Sequence, residues 1–245
     1  MSQHSSSGGD RPVALITGAG SGIGREVALG MAREGHRVVL VGRRTEPLMS
    51  VGRETGGDRG ELWQTLPADV GDAGKTATLC DRAQEIWGRL DVLVNNAGWS
   101  PLTKLADQTP ELIEQLYAVN AVGPTILARG AVRIMREAGA GSIVNVSSVA
   151  SFDPFVGLGV YGAAKAATNT LARAIANEHG EEGIVAYTVA PGAVETELLR
   201  SIVDESMLPT EKTLSAGEVA AVIVDCALRR RSEPNGSTIT IQSPG

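Results

Sequence analysis

The sequence predicts an α/β protein, a doubly wound parallel sheet of about seven strands with helices on both faces. Short runs rich in Val, Ile and Leu alternate along the chain with longer segments of helical character, the pattern that right-handed strand-helix-strand crossovers produce. The runs are nearly continuously apolar, as strands buried on both faces are. A glycine cluster sits where the first run meets the first helical segment, at the edge where such sheets take ligands. No repeat or linker divides the chain, so residues 11–245 are expected to form one domain behind a disordered tail at 1–10.

The elements follow in order. PVALIT (12–17) is the first strand, and a helix from Gly22 to Glu34 follows it. RVVLVG (37–42) leads to a helix from Glu46 to Glu54, and ELWQTL (61–66) to one from Ala73 to Trp87. LDVLVNN (90–96) precedes a long helix from Leu112 to Ala138, and GSIVNVSS (141–148) one from Gly159 to His179. IVAYTVAP (184–191), a helix from Gly217 to Leu228 and STITIQ (237–242) complete the alternation.

Composition narrows the function. Of 245 residues, 42% are apolar and 20% charged, enough for one substantial core. A net charge of -6 offers no basic face to nucleic acid. The run Arg229-Arg230-Arg231 reads as a solvated helix end. Cys80 and Cys226 lie far apart with no C-x-x-C spacing and no histidine nearby, so neither a disulfide nor a metal site is expected. His36 and His179 fall at helix ends and receive no role. No apolar run reaches the length of a membrane span, and MSQHSSSGGD lacks the apolar segment of a signal peptide. The expectation is a cytoplasmic protein with no membrane or nucleic-acid partner.

TGAGSGIG (17–24) places Gly18, Gly20, Gly22 and Gly24, with Ser21 and Ile23 among them, at the first strand-to-helix turn. Glycines let the backbone approach a diphosphate, and the helix start offers free N–H groups and a positive dipole end. The second strand ends in LVGRR. Gly42 stands where an acid would hold a ribose 2′-hydroxyl, and Arg43 and Arg44 follow it; a guanidinium binds a 2′-phosphate in a fork. NADP(H) is the expected cofactor, ahead of NAD(H).

YGAAK (161–165) puts Tyr161 and Lys165 four residues apart on one helix face. A free phenol ionises near pH 10, and a neighbouring ammonium is expected to lower that value and make Tyr161 a general acid and base. Ser148 ends a strand thirteen residues earlier. Asn120, within LYAVNAVGP, is expected to be buried with its amide paired.

With ADV (68–70), NNAG (95–98), NAVG (120–123) and PGAVET (191–196) in the same order, the chain from Pro12 to about Ile241 resembles the short-chain dehydrogenase/reductase family, in its NADP(H)-preferring 3-oxoacyl reductase-like branch. The resemblance implies a Rossmann fold and a catalytic group of Asn120, Ser148, Tyr161 and Lys165. Ser148 would hydrogen-bond the substrate oxygen, Lys165 the nicotinamide ribose, and Asn120 a water joining the lysine to solvent. It further implies that Asp69, next to Val70, accepts from the adenine amino group and that Asn96, Ala97 and Gly98 lie beside the adenosine ribose. Pro191 and Gly192 would pass close to the nicotinamide, with Val194 and Thr196 at its carboxamide, while Asn95 would brace the central strands.

The activity implied is hydride transfer between NADP(H) and a carbonyl or secondary alcohol. Two other readings are an NAD(H)-linked sugar, polyol or hydroxy-acid dehydrogenase and a nucleotide-sensing binding protein without turnover, against which the four intact residues count. Substrate choice is expected from SFDPFVGLGV (151–160) and from the segment after Thr196, short enough for only a small helical lid. Phe152, Phe155, Leu198, Leu199, Ile202 and Met207 are candidate walls, and Trp99 a candidate substrate-side residue. The ending NGSTITIQSPG departs from the DGG-like turn of many relatives. The resemblance implies a homo-oligomer, tetramer or dimer, with the apolar faces of 112–138 and 159–179 as a further candidate interface.

Overall fold

Val13, Ala14, Leu15 and Ile16 are all fully buried, because the first strand lies at the centre of a sheet covered on both faces. The structure is a computed structural model that describes residues 11–243, so the expected tail at 1–10 falls outside the described residues. Seven parallel strands form the sheet: β1 Val13–Thr17, β2 Arg37–Gly42, β3 Trp63–Pro67, β4 Val92–Asn95, β5 Gly141–Val146, β6 Ile184–Pro191 and β7 Thr238–Ile241. Their order is β3-β2-β1-β4-β5-β6-β7. The chain reverses its direction of travel between β1 and β4, which leaves a crevice outside their carboxyl ends.

Alternate residues of the strands face two separate cores. Ala14, Ile16, Val38 and Leu40 pack with α1 (Gly22–Arg33), α2 (Thr45–Glu54) and α9 (Ala216–Ala227). Val13, Leu15, Val39 and Val41 pack with α4 (Leu79–Trp87), α6 (Gly123–Ala138) and α7 (Gly159–His179). Among the described residues, no helix is long and apolar enough to cross a membrane.

Two expected helices are broken, each for a local reason. Instead of one helix over 73–87 there is a short α3 (Ala73–Thr76) and then α4. Asp72 caps α3 by accepting from the Lys75 N–H at 3.1 Å, and the Thr76 hydroxyl donates to the Val70 carbonyl at 3.1 Å, turning the chain back toward β3. The long helix over 112–138 is α5 (Pro110–Tyr117), a π-turn at Ala118–Val122 and then α6. Pro124 has no N–H for the carbonyl four residues before it, so the ladder widens there. Gly123 fits the resulting bend, since a Cβ on it would lie 2.4 Å from the Val70 carbonyl oxygen.

The arginine run lies largely exposed just past the end of α9, as expected, but its guanidinium groups are engaged. Arg229 takes a left-handed backbone, φ 57°, and its guanidinium donates to the Gly141 and Gly183 carbonyls at 2.7 and 2.8 Å, tying the starts of β5 and β6. Arg230 is bonded to Glu34 and Arg231 to Glu233. Their charges are engaged at the edge opposite the crevice.

Candidate active site

The crevice has a volume of about 1370 Å³. An ordinary small-ligand pocket holds roughly 300–1,000 Å³, so a dinucleotide and a second molecule fit side by side. Its nucleotide end is built by the turn from β1 into α1. At Gly18, φ +65°, a Cβ would lie 2.8 Å from Asn96 Nδ2, and at Gly24 one would lie 2.2 Å from the Gly18 carbonyl oxygen. Only glycine lets the helix start close on the strand in this way. Gly18, Gly20, Ser21, Gly22 and Ile23 line the crevice, whereas Gly24 stands behind the turn and serves its packing. Ser21 makes no side-chain cap to α1, so the first N–H groups of that helix open on the crevice. A cradle of backbone donors at a helix start suits a diphosphate.

The end of β4 holds the turn in place. Asn96 Nδ2 donates to the Thr17 carbonyl at 2.9 Å, and the Asn96 and Ala97 N–H groups both donate to Thr17 Oγ1 at 3.0 Å. Asn96 therefore lines the crevice with its amide engaged by the turn. Asn95 braces β4 against β5 as expected, donating to Asn145 Oδ1 at 3.0 Å and to the Pro124 carbonyl at 3.2 Å. Asp69 and Val70 line the wall after β3, with Asp69 Oδ1 accepting from the Gly71 N–H at 2.9 Å. Arg43 and Arg44 are exposed at the end of β2. Glu197 reaches Arg44 from the other side of the crevice, 3.7 Å away; nothing in its sequence position marked it.

The floor gathers three of the four expected catalytic residues. Gly162 lets α7 lie against the 3₁₀ turn Val149–Ser151, for a Cβ there would come within 2.2 Å of the Ala150 carbonyl oxygen. That approach places Tyr161 on the same stretch of crevice wall as Ser148, close enough for the serine to act on the phenol's ionisation. Ser148 Oγ also accepts from the Ala150 N–H at 3.2 Å, and its carbonyl from Ser151 Oγ at 2.6 Å. Ser147 is turned away: its hydroxyl donates to the Lys165 carbonyl at 3.1 Å, in the seam between β5 and α7.

Lys165 is buried, with Nζ donating to the Val146 carbonyl at 2.7 Å and lying 5.8 Å from the centre of the Tyr161 ring. Burial lowers its pKa to about 8. Burial also pushes the Tyr161 phenol up to about 12, against the Ser148 hydrogen bond, which pulls it down. The expected lowering of the phenol by the ammonium is thus reversed in the protein alone. Desolvation disfavours the charged form of both groups, and the lysine is turned to a backbone carbonyl.

Asn120 stands behind this floor, fully buried. Its Nδ2 donates to the Trp99 and Leu116 carbonyls at 2.8 and 2.9 Å, and its Oδ1 accepts from the Trp99 N–H at 3.2 Å. The π-turn carries it to that position. Gly98 passes between it and the lysine, since a Cβ on Gly98 would lie 3.1 Å from Asn120 Oδ1 and 3.2 Å from Lys165 Nζ.

The third wall follows β6. Pro191, Gly192, Val194 and Thr196 line it, and the Thr196 hydroxyl caps the short α8 (Glu197–Arg200) by accepting from the Leu199 N–H at 3.2 Å. The Thr196 methyl carbon lies 3.1 Å from where a Gly22 Cβ would be, so this wall faces the glycine turn. Trp99, Phe155, Leu198, Leu199, Ile202 and Met207 line the crevice as expected. Phe152 does not: it stands at the end of the 3₁₀ turn Val149–Ser151, exposed and outside the lining. Leu102, Val156, Leu158 and Val203 line it as well, lone apolar side chains that carry no pattern in the sequence.

Comparison with known proteins agrees with this geometry. Residues 12–206 match the family model described as short chain dehydrogenase. An uncharacterized oxidoreductase of Staphylococcus aureus (strain USA300) is 30% identical over 231 residues, 94% of this chain and 96% of that protein. One from Thermotoga maritima is 36% identical over 204 residues, 81% of this chain and 78% of that one. The crystal structure of levodione reductase has a TM-score of 0.87 at 29% identity, covering 95% of this chain and 96% of that chain. A short-chain type dehydrogenase/reductase from Mycobacterium marinum has a TM-score of 0.87 at 27% identity, covering 95% and 94%. The chain belongs to the short-chain dehydrogenase/reductase family, oxidoreductases that work with nicotinamide dinucleotides.

Proposed function

We propose that the protein interconverts a carbonyl compound and a secondary alcohol with NADP(H), with Tyr161 exchanging the proton. The observation that carries this reading is that Ser148, Tyr161 and the buried Lys165, with Nζ 5.8 Å from the centre of the Tyr161 ring, line the floor of one crevice that begins at the glycine turn. A bound nicotinamide supplies or accepts the hydride at the substrate carbon. The Ser148 and Tyr161 hydroxyls hold the carbonyl oxygen, and Tyr161 gives up its proton as negative charge grows there. In the oxidative direction the same phenol receives the alcohol proton. The phenol, pushed up to about 12, stays protonated near neutrality and ready to donate. Lys165, beneath the ring, stabilises the phenolate once it forms, and it would also hold the nicotinamide ribose. Asn120 acts as a positioning residue: it fixes the Trp99 backbone beside the lysine and would hold the water through which the proton is restored.

Asp69, Asn96, Ala97 and Gly98 are proposed to border the adenosine, and Val194 and Thr196 the carboxamide. Cofactor choice rests on Arg43 and Arg44, which stand exposed at the end of β2 with Gly42, not an acid, before them. A 2′-phosphate meets two guanidinium groups there. NAD(H) is the second reading, favoured by one observation: Glu197 already pairs with Arg44 and would repel a phosphate. We also propose a cytoplasmic homo-oligomer, dimer or tetramer. α6 and α7 share an outer groove of about 720 Å³ with Val132, Leu171 and Ile175 between Arg129, Arg133 and Arg136 on one side and Glu178 and Glu182 on the other. A twofold axis through it would set unlike charges together.

Four outcomes test these readings. Tyr161→Phe is expected to reduce turnover by about 10²–10⁴-fold while leaving the NADPH dissociation constant unchanged; turnover like the wild type's ends the proposal. Arg43→Asp should lower the ratio of kcat/KM with NADPH to that with NADH by about tenfold or more, and an unchanged ratio removes the phosphate assignment. Static light scattering at micromolar concentration should give a multiple of the chain mass, and a monomer overturns the oligomer.

The fourth concerns stability. Lys165 has a folded pKa of about 8 against 10.5 for a free lysine, so the folded state disfavours its ammonium. Between those values the unfolded chain binds the extra proton, and stability rises with pH. The penalty is fully present below the folded value, about 3 kcal/mol, and is gone above the unfolded one. The stability of Lys165→Met relative to wild type should therefore be greatest near pH 7 and decline toward about pH 10. Denaturant melts across that range read the difference, and one that stays constant or grows with pH refutes the buried ammonium.

A further inference from the structure

The crevice changes character along its length, and the change follows the strand order. The charged side chains Arg43, Arg44 and Asp69 line it after β2 and β3, on one side of the switch between β1 and β4. On the other side the lining comes largely from loops after β4, β5 and β6, and its large side chains are mostly apolar: Leu102, Phe155, Val156, Leu199, Ile202 and Met207. Two of these loops form a single wall. The Thr103 N–H donates to the Gly157 carbonyl at 3.1 Å, and a Cβ on Gly157 would lie 2.9 Å from Leu102 Cδ1.

This wall also carries unburied apolar surface. Leu102, Phe155, Val156 and Met207 are 47%, 69%, 77% and 69% exposed. Single exposed apolar residues are ordinary, but a group that rims one pocket marks something that covers it. The polar groups that line the crevice outside the nucleotide end include the hydroxyls of Ser148 and Tyr161, which the reaction uses, Ser100, whose hydroxyl already donates to the Pro101 carbonyl at 3.0 Å, and Gln115, Lys212, Gln242 and Ser243. Glu197 faces Arg44, and Lys212 is an exposed residue of the turn Thr210–Lys212.

We infer that the substrate is an uncharged ketone or secondary alcohol with an extended apolar body, which lies between the 99–105 and 152–158 loops and the 198–208 segment while its oxygen meets Ser148 and Tyr161. Against the Leu102, Phe155, Val156 and Met207 side chains a sugar or polyol hydroxyl finds no partner and a carboxylate loses part of its hydration, each at a free-energy cost, whereas an apolar body covers surface that water now meets. The inference rests on the oxidoreductase reading of the same site and narrows it. The ketone takes a hydride at carbon and a proton at oxygen while the reduced dinucleotide is oxidised.

The test is a series of methyl n-alkyl ketones of increasing chain length, with the keto acids that carry a terminal carboxylate on the same chains and a polyhydroxy ketone. Each is followed by the absorbance of NADPH with the full-length protein. The ketones should gain about three- to fourfold in kcat/KM per added methylene, and each keto acid should fall about tenfold or more below the ketone of its length. The double variant Phe155→Ser, Val156→Ser should lower the gain per methylene. A flat series, or a preference for the keto acids or the polyhydroxy ketone, overturns the inference and leaves the oxidoreductase reading standing. Binding of the same compounds to the NADPH-loaded protein, by quenching of tryptophan fluorescence, separates the two claims. Ketones that bind more tightly with length but are not reduced, with the matching alcohols not oxidised, support the apolar site and defeat the oxidoreductase reading.

Discussion

A lysine ammonium held under the sheet's edge against the Val146 carbonyl is the constraint around which the site is built. Burying that charge is unfavourable, and several elements are committed to the burial. The Ser147 hydroxyl is bonded to the lysine's own carbonyl, Gly98 leaves room for Nζ, and the Gly162 contact with Ala150 presses α7 onto the end of β5. The same packing sets the Tyr161 ring over the ammonium and the phenol against Ser148. Removing the lysine would relax the protein and leave the tyrosine with no cation beneath it. Stability and proposed chemistry therefore pull in opposite directions at this residue, as they do at many functional sites.

The dry floor explains why both ionisable groups shift toward neutrality in the protein alone. A phenol pushed up to about 12 and an ammonium brought down to about 8 lie further apart than the free groups do, so the burial itself makes a phenolate-ammonium pair more disfavoured relative to the neutral pair than in water. Charge that forms transiently on the tyrosine would find its counter-charge close by, and little solvent has to reorganise. The Asn120 amide, fully buried with three hydrogen bonds to backbone, keeps the chain beside the lysine from shifting as that charge moves.

Most of the fold was legible because its signals are local. Val-Ala-Leu-Ile-Thr and Arg-Val-Val-Leu-Val-Gly are apolar without alternation because both of their faces meet helices, and the glycines at 18–24 mark the turn by being the only residues that fit. The breaks were harder to read. Pro124 widens the helix through a missing donor, and only the closeness of Val70 shows where the bend must go. The phenol's direction was misread because YGAAK gives the spacing of two side chains and says nothing of how deeply they sit or that Lys165 turns to Val146. Arg229 is exposed as the sequence suggested, but its bonds were hidden because its partners, the carbonyls of Gly141 and Gly183, are remote in sequence. Phe152 and Phe155 stand three residues apart and are both exposed, and only the course of the loop puts Phe155 and not Phe152 on the crevice. Glu197 meets Arg44 across a crevice that joins strands from opposite halves of the sheet, a pairing no local pattern encodes.

The two ends of the crevice obey different physics, and this bears on how such a protein can change. At the nucleotide end, Arg44 and Glu197 are 69% and 78% exposed and 3.7 Å apart, a pair that water and salt weaken and that contributes about 0–1 kcal/mol. Substituting either residue changes the local charge and leaves both cores intact. The floor offers no such freedom, since Tyr161, Lys165, Gly98 and Gly162 are fixed by mutual packing. The apolar walls lie between these cases: Leu102 and Phe155 sit on surface loops, yet Gly157 holds those loops to one another. On the proposed reading, cofactor preference could therefore drift residue by residue and substrate preference loop by loop, while the Tyr161 and Lys165 group would be retained or lost as a unit.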